Sequence, residues 1–196
     1  MYYILDEYEI IKEIFSDYFD KIKKNKNQAG FLLTELANRK RFEERVILLD
    51  VLTLKPAWEI KALEELGMYF FESGNYGSAE TYFEKILSTD SFHAKALYYM
   101  ALISLEQERY ADTILYANNL VEERSKEFSP YYLLVKANFE LGKYRESLKW
   151  AEKAPDYEKN EYEFISTWKS AILANDIHSD LSVLKKIFSG LKTTVV

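Results

Sequence analysis

Apolar and polar positions alternate along this chain with the rhythm of helices, not strands. Between residues 60 and 93, Leu63, Leu66, Gly67 and Phe70 recur at steps of three and four. After Gly74 the stripe resumes with Tyr76, Ala79, Phe83, Ile86 and Leu87. Such steps line one face of a helix, and a glycine between two stripes suits a helix stop with left-handed backbone. The predicted unit is helix, tight turn, helix. Residues 94–127 repeat it with Leu97, Met100 and Ala101, then Tyr110, Thr113, Ala117 and Leu120. Residues 128–161 repeat it again with Tyr131, Leu134 and Val135, then Tyr144, Ser147, Ala151 and Ala154. Pro130 falls in a first turn, where a missing N–H is harmless, and Pro155-Asp156 ends the second helix of that unit. Tyr76, Tyr110 and Tyr144 stand thirty-four residues apart. One stride back from Tyr76 lies Phe42, and one stride on from Tyr144 falls beside Ile177.

A fixed stride of this size is the mark of a repeat array, and the residues that recur within it are specific. A large residue opens the first helix (Leu63, Leu97, Tyr131), followed by a smaller one that lets paired helices approach (Gly67, Ala101, with Val135 larger). An aromatic begins the second helix (Tyr76, Tyr110, Tyr144), and a small residue follows three later (Ala79, Thr113, Ser147). The run LGMYFFESGNYGSAETYFEKIL from Leu66 to Leu87 resembles the tetratricopeptide repeat closely. There are departures. Ser91 and Ser125 stand where the family's closing proline is usual, and Arg45 stands where a small residue belongs, although Leu32, Leu33, Leu36, Phe42, Leu49 and Leu52 keep register around it. The resemblance implies an all-α, right-handed α-solenoid of antiparallel helix pairs, with about four to five repeats in a single domain spanning residues 1–196. The expected parts are an N-terminal helix at 1–25, repeats at 26–59, 60–93, 94–127 and 128–161, and a degenerate capping repeat at 162–190.

The first helix, placed at about Tyr3 to Lys24, lies outside this register. Its apolar side chains cover an arc of about 220° at the helical turn per residue, wider than one neighbour needs. Either it packs across two neighbouring helices or it meets a second molecule. A homodimer would use Ile4, Tyr8, Ile11, Phe15, Tyr18 and Ile22. At the other end Leu181, Leu184, Ile187 and Phe188 predict a last helix stopped by Gly190, then a frayed tail.

Composition narrows the function. Hydrophobic residues make up 48% of the 196, enough for a packed core and against a disordered chain. Six glycines and three prolines are too few for a turn-rich β fold. The net charge is −6, which disfavours nucleic acid, whose backbone needs clustered positive charge. The Arg39-Lys40-Arg41 run reads as a solvated turn. There is no cysteine, so disulfides, thiolate metal sites and cysteine nucleophiles are excluded. No apolar run approaches bilayer length, so no membrane insertion is expected. Met1 to Glu7 carry no basic leader, which does not read as a secretory signal. The expected location is cytoplasmic.

Signatures of chemistry are missing. Gly67, Gly74 and Gly77 lack the spacing of a phosphate-binding loop. His93 and His178 fall in predicted turns and read as solvated. The neighbours Glu64-Glu65 and Glu122-Glu123 point about 100° apart on a helix and read as solvated faces. No catalytic residue, metal site or cofactor is expected. In the tetratricopeptide family the first helices line a concave groove that binds peptides or helices. In this register the groove would hold Met68, Phe71, Tyr98, Tyr99, Leu102, Tyr132 and Phe139, a surface suited to an apolar or amphipathic segment. Members that dock chaperone tails grip a terminal carboxylate with Lys, Asn and Arg. Here the comparable places hold Glu64, Met68, Tyr99, Ser129 and Leu133, so that clamp is not expected. The reading is a non-enzymatic scaffold with a protein or peptide partner. The alternative is a self-assembling structural component, a homodimer through the N-terminal helix, within a larger or envelope-associated complex.

Overall fold

The computed structural model describes residues 2–21, 26–56, 58–123, 128–155, 164, 166–177 and 181. Among the described residues the regular elements are helices, with no strand. They are α1 (Tyr2–Lys21), α2 (Lys26–Asn38), α3 (Phe42–Leu52), α4 (Glu59–Glu72), α5 (Tyr76–Thr89), α6 (Ala94–Glu106), α7 (Tyr110–Glu123), α8 (Tyr131–Glu140) and α9 (Tyr144–Lys153), with further helix over 166–177. The expected C-terminal helix residues Leu184, Ile187 and Phe188 lie outside the described residues, as does Ile22. The chain divides into two compact units, Met1–Ala96 and Leu97–Val196.

The repeat is written in the backbone. Lys40, Gly74, Glu108 and Gly142 have φ of 57°, 75°, 59° and 70°, each one stride from the next. At each of these turns the N–H of the left-handed residue donates three residues back, to Ala37, Phe71, Leu105 and Phe139, at 2.9–3.0 Å. The following N–H reaches five residues back, to Leu36, Phe70, Ser104 and Asn138, at 2.8–2.9 Å. This pair of bonds is the Schellman stop, which satisfies the last carbonyls of a helix. The turn position favours glycine because left-handed backbone crowds a Cβ, yet two of the four copies carry side chains. Asn75 then caps α5, its Oδ1 accepting from the Ser78 N–H at 3.2 Å. Arg41 and Lys143, with nearly the same backbone angles, make no side-chain cap bond. Pro130 is the N-cap of α8 and not its first helical residue.

In the first unit the C-terminal half of α3 is largely buried: Ile47, Leu48, Leu49, Val51 and Leu52 are inaccessible. It packs against α1, α2 and α4, joining Ala29, Leu33, Ala62 and Leu66 in one core with Phe15, Trp58 and Phe70 at its margin. The α4–α5 pair closes on Gly67, where an added Cβ would meet the buried Phe83 ring at 2.7 Å. In the second unit the matching pairs are Ala101 with Ala117, in a cluster with Leu133 and Leu134, and Val135 with Ala151, in a cluster with Ala154 and Phe164. Glycine faces phenylalanine, alanine faces alanine, and valine faces alanine. The small residues Ala79, Thr113 and Ser147 are fully buried, and Ser147 satisfies its hydroxyl by donating to the Val135 carbonyl at 2.8 Å.

Arg45, the departure from register, is explained by an ion pair. It leaves the small-residue position half-buried and reaches Glu65 on α4 at 2.5 Å. Glu64 turns the other way, to Lys95 at 2.8 Å and the His93 Nε2 at 3.3 Å. The two carboxylates do not converge, but neither is a free solvated face. His93 is likewise no free surface residue: its Nδ1 accepts from the Ala96 N–H at 3.4 Å, and its Nε2 stands 3.3 Å from a Glu64 carboxylate oxygen.

Candidate functional site

The residues expected to line a groove are all half-buried, and the structure divides them. Met68 and Phe71 lie in the first unit. Phe71 packs against Tyr76 with ring centres 5.6 Å apart, so the aromatic that opens the second helix rests on the last turn of the first. Phe139 and Tyr144 repeat that contact at 5.7 Å in the second unit. Tyr98 stands edge-on to Tyr99 at 5.8 Å and against Phe128 at 5.2 Å. Together with Leu102 and Tyr132 it borders the Ala101, Ala117, Leu133 and Leu134 cluster.

Each unit holds a cavity. In the first, about 510 Å³ opens between α3 and α4, lined by Phe42, Arg45, Glu65, Met68, Tyr69, Glu72 and Ser73. The Arg45–Glu65 pair is part of this lining, and the Arg45 Nε is buried without a hydrogen-bond partner. In the second unit a cavity of about 510 Å³ is lined by Leu105, Glu106, Glu108, Tyr110, Tyr132, Lys136, Glu140, Ser166 and Thr167. Both volumes lie in the range of ordinary binding pockets. Among the groove residues named from the sequence, Tyr132 lines the second cavity and Met68 the first.

The second cavity is aromatic on its walls and acidic at its edge. Among the described residues three carboxylates stand against one ammonium, and that ammonium, Lys136, is paired with Glu140 one turn along α8. Loss of solvent, then Glu108 and Glu140, pushes the Tyr110 phenol up from its ordinary value, with Lys136 opposing. Leu105, Glu106, Lys136 and Glu140 belong to the row of first-helix positions that the repeat register turns away from the paired helix. Glu108 and Tyr110 come from the turn and the next helix start, which that register ignores. Ser166 and Thr167 come from the degenerate last repeat, where no sequence pattern marks them.

On the first helix, Tyr8, Ile11 and Phe15 are half-buried, and Tyr18 is 41% exposed. Tyr8 donates to Asp50 at 3.2 Å and Lys12 pairs with Asp50 at 2.6 Å, so this helix is fixed on α3. Among its described side chains, the large apolar ones left outside are Ile10, 56% exposed, and Ile14, 60% exposed, with Tyr18. The side chain of Ile4 and the whole of Ile22 lie outside the described residues. Among the described residues no three His, Cys, Asp or Glu gather as a metal site would require, and no helix is long and apolar enough to cross a membrane.

Known proteins share this architecture. Residues 72–154, less than half of the chain, match the family described as anaphase-promoting complex, cyclosome, subunit 3. The solved structure of MamA from Desulfovibrio magneticus RS-1, residue 41 to its end, superimposes with a TM-score of 0.65 at 18% identity. That match covers 86% of this chain and 96% of the MamA chain. No curated protein sequence matches the chain. The fold is thus defined: among the described residues it is all-α, built of repeated antiparallel helix pairs like those of the tetratricopeptide repeat. Such arrays expose extended surfaces for protein contacts.

Proposed function

We propose that this chain is a non-enzymatic scaffold that holds a peptide or helix of a protein partner against its first-helix row, with Met68, Phe71, Tyr98, Tyr99, Leu102, Tyr132 and Phe139 as the contact residues. The observation that carries the reading is the second-unit cavity, which sits on that row and includes Tyr132 in its wall. Half-buried tyrosines are favoured anchors because they bring large area at low entropic cost. The family matched at residues 72–154 is named for a subunit of a multiprotein complex, which is in keeping with a scaffold. The test is capture of partners from native lysate by the intact chain and by Tyr98→Ala and Tyr132→Ala. Loss of a captured protein with helicity unchanged by circular dichroism supports the proposal. An unaltered set of captured proteins, or unfolding in both variants, ends it.

A second reading is self-association through α1, favoured by the exposed stripe of Ile10, Ile14 and Tyr18, spaced one turn apart. Contiguous apolar surface of this kind marks contact sites. Light scattering of the intact chain at rising concentration decides it. A dimer mass that reverts to monomer in Ile14→Glu supports the contact, and a monomer at every concentration removes it.

A further inference from the structure

The second-unit cavity has a wall chemistry that selects among partners. We propose that it takes an arginine side chain from a basic segment of the partner protein. The proposal rests on the scaffold reading and adds the chemistry of what is bound. Leu105, Tyr110 and Tyr132 give the cavity its apolar and aromatic wall, wide enough at about 510 Å³ for a long side chain and its neighbours. Glu106, Glu108 and Glu140 stand at the same cavity, and the single cation there among the described residues, Lys136, is already engaged by Glu140. Glu106 and Glu108 are exposed and enter no ion pair among the described residues. An anionic segment would be repelled by these carboxylates and an apolar one would gain nothing from them, whereas a guanidinium pairs with them. Arginine fits better than lysine because its planar head stacks on tyrosine faces and offers a fork of donors to a carboxylate. Its stem lies along Leu105 while the charge reaches the acids.

Glu108 adds a separate consideration. It holds left-handed backbone where the sister turns use Gly74 and Gly142, so a glycine would serve the fold at least as well. Lys40 shares that conformation and lines neither of the two cavities described above. The backbone therefore does not mark the site, but it makes Glu108 a residue whose side chain is separable from folding.

The experiment measures binding of the intact chain to short fluorescent peptides that alternate leucine with arginine, lysine or glutamate. The arginine peptide is expected to bind, the lysine twin more weakly and the glutamate twin not at all. Glu106→Gln, Glu108→Gln and Glu140→Gln together should weaken the arginine peptide by about tenfold or more. Glu43→Gln, Glu59→Gln and Glu84→Gln, which change net charge equally but line neither cavity, should leave it nearly unchanged. Glu108→Gly should weaken binding while the melting temperature holds or rises, which separates lost recognition from lost fold. Equal losses in the two triple variants, no binding of the arginine peptide, or equal binding of the glutamate twin overturns the proposal. If the glutamate twin binds and Tyr132→Ala abolishes that binding, the scaffold reading stands and only the charge selection falls. If no peptide binds, or Tyr132→Ala changes nothing, both fall.

Discussion

Lys40, Gly74, Glu108 and Gly142 carry one backbone conformation with two kinds of side chain, and that contrast sets expectations for single substitutions. A Cβ in left-handed backbone costs on the order of 1 kcal/mol, partly offset by the greater freedom glycine has when unfolded. Lys40→Gly should therefore raise stability by up to about 1 kcal/mol in urea unfolding. Gly74→Ala should lower it by a similar amount, although nothing lies within 4 Å of the added carbon. Gly67 is the opposite case. Its backbone is ordinary helix, but its neighbour is the buried Phe83 ring at 2.7 Å from an added Cβ. Gly67→Ala should destabilise by about 1–3 kcal/mol as the ring is forced aside, and Gly67→Ala with Phe83→Leu should recover part of the loss. Recovery by the double variant is the check that helix approach, and not helix propensity, is responsible.

Among elements, α1 depends on one carboxylate. Asp50 accepts from Tyr8 and pairs with Lys12. A hydrogen bond to a charged partner is worth about 1.5–3 kcal/mol, and partial exposure of this group places Asp50→Asn at the low end. The pH dependence follows from the same contacts. The Asp50 hydrogen bond raises the Lys12 pKa above its ordinary 10.5, and burial, then Asp50, raises Tyr8 and Tyr82 above 10.0. Raised folded values mean the native state holds these protons more tightly, so their contribution is complete below about pH 10 and is lost as pH climbs through the folded values. Unfolding free energy should be flat in this contribution from pH 7 to 9 and fall above 10, with a shallower fall in Asp50→Asn. A second element-level expectation concerns the helix starts. Lys143 has φ −83° and ψ 58° against −84° and 70° for the capping Asn75. Lys143→Asn should supply the missing cap and stabilise α9 by about 0.5–1 kcal/mol, read as a shift in melting temperature.

The whole molecule divides into two compact units, each with a buried apolar cluster, and contacts in a repeat array run between neighbours. A cavity in one core should therefore loosen that neighbourhood first. Leu66→Ala, which empties a fully buried site, should cost about 2–5 kcal/mol. Hydrogen exchange should show the loss of protection concentrated in α3, α4 and α5, with α8 and α9 nearly unchanged. Uniform loss along the chain would show a single cooperative unit instead. Much of the second unit is readable from a single stride: Tyr110 and Tyr144 open helices, and Thr113 and Ser147 are buried as their spacing predicts. The cavity is less readable, since Glu108 and Tyr110 reach it from a turn and Ser166 and Thr167 from a repeat whose pattern has decayed.

The sequence by itself determined the helix pairs and their turns, because those depend on contacts three to five residues apart, and a period of apolar and small residues records such contacts directly. It also determined which residues face the paired helix, as the shared burial of Ala79, Thr113 and Ser147 shows. Only the tertiary structure decided which charges pair between helices. Glu64 and Glu65 are identical neighbours in the chain, yet one meets Lys95 and His93 and the other Arg45, across separations of about thirty and twenty residues. Likewise an apolar arc on α1 does not say which part will be covered, and Asp50 on α3 settles it by holding Tyr8 and Lys12 inward while Ile10 and Ile14 stay outside. Periodicity encodes local packing, whereas the pairing of long charged side chains depends on which surfaces the fold brings together.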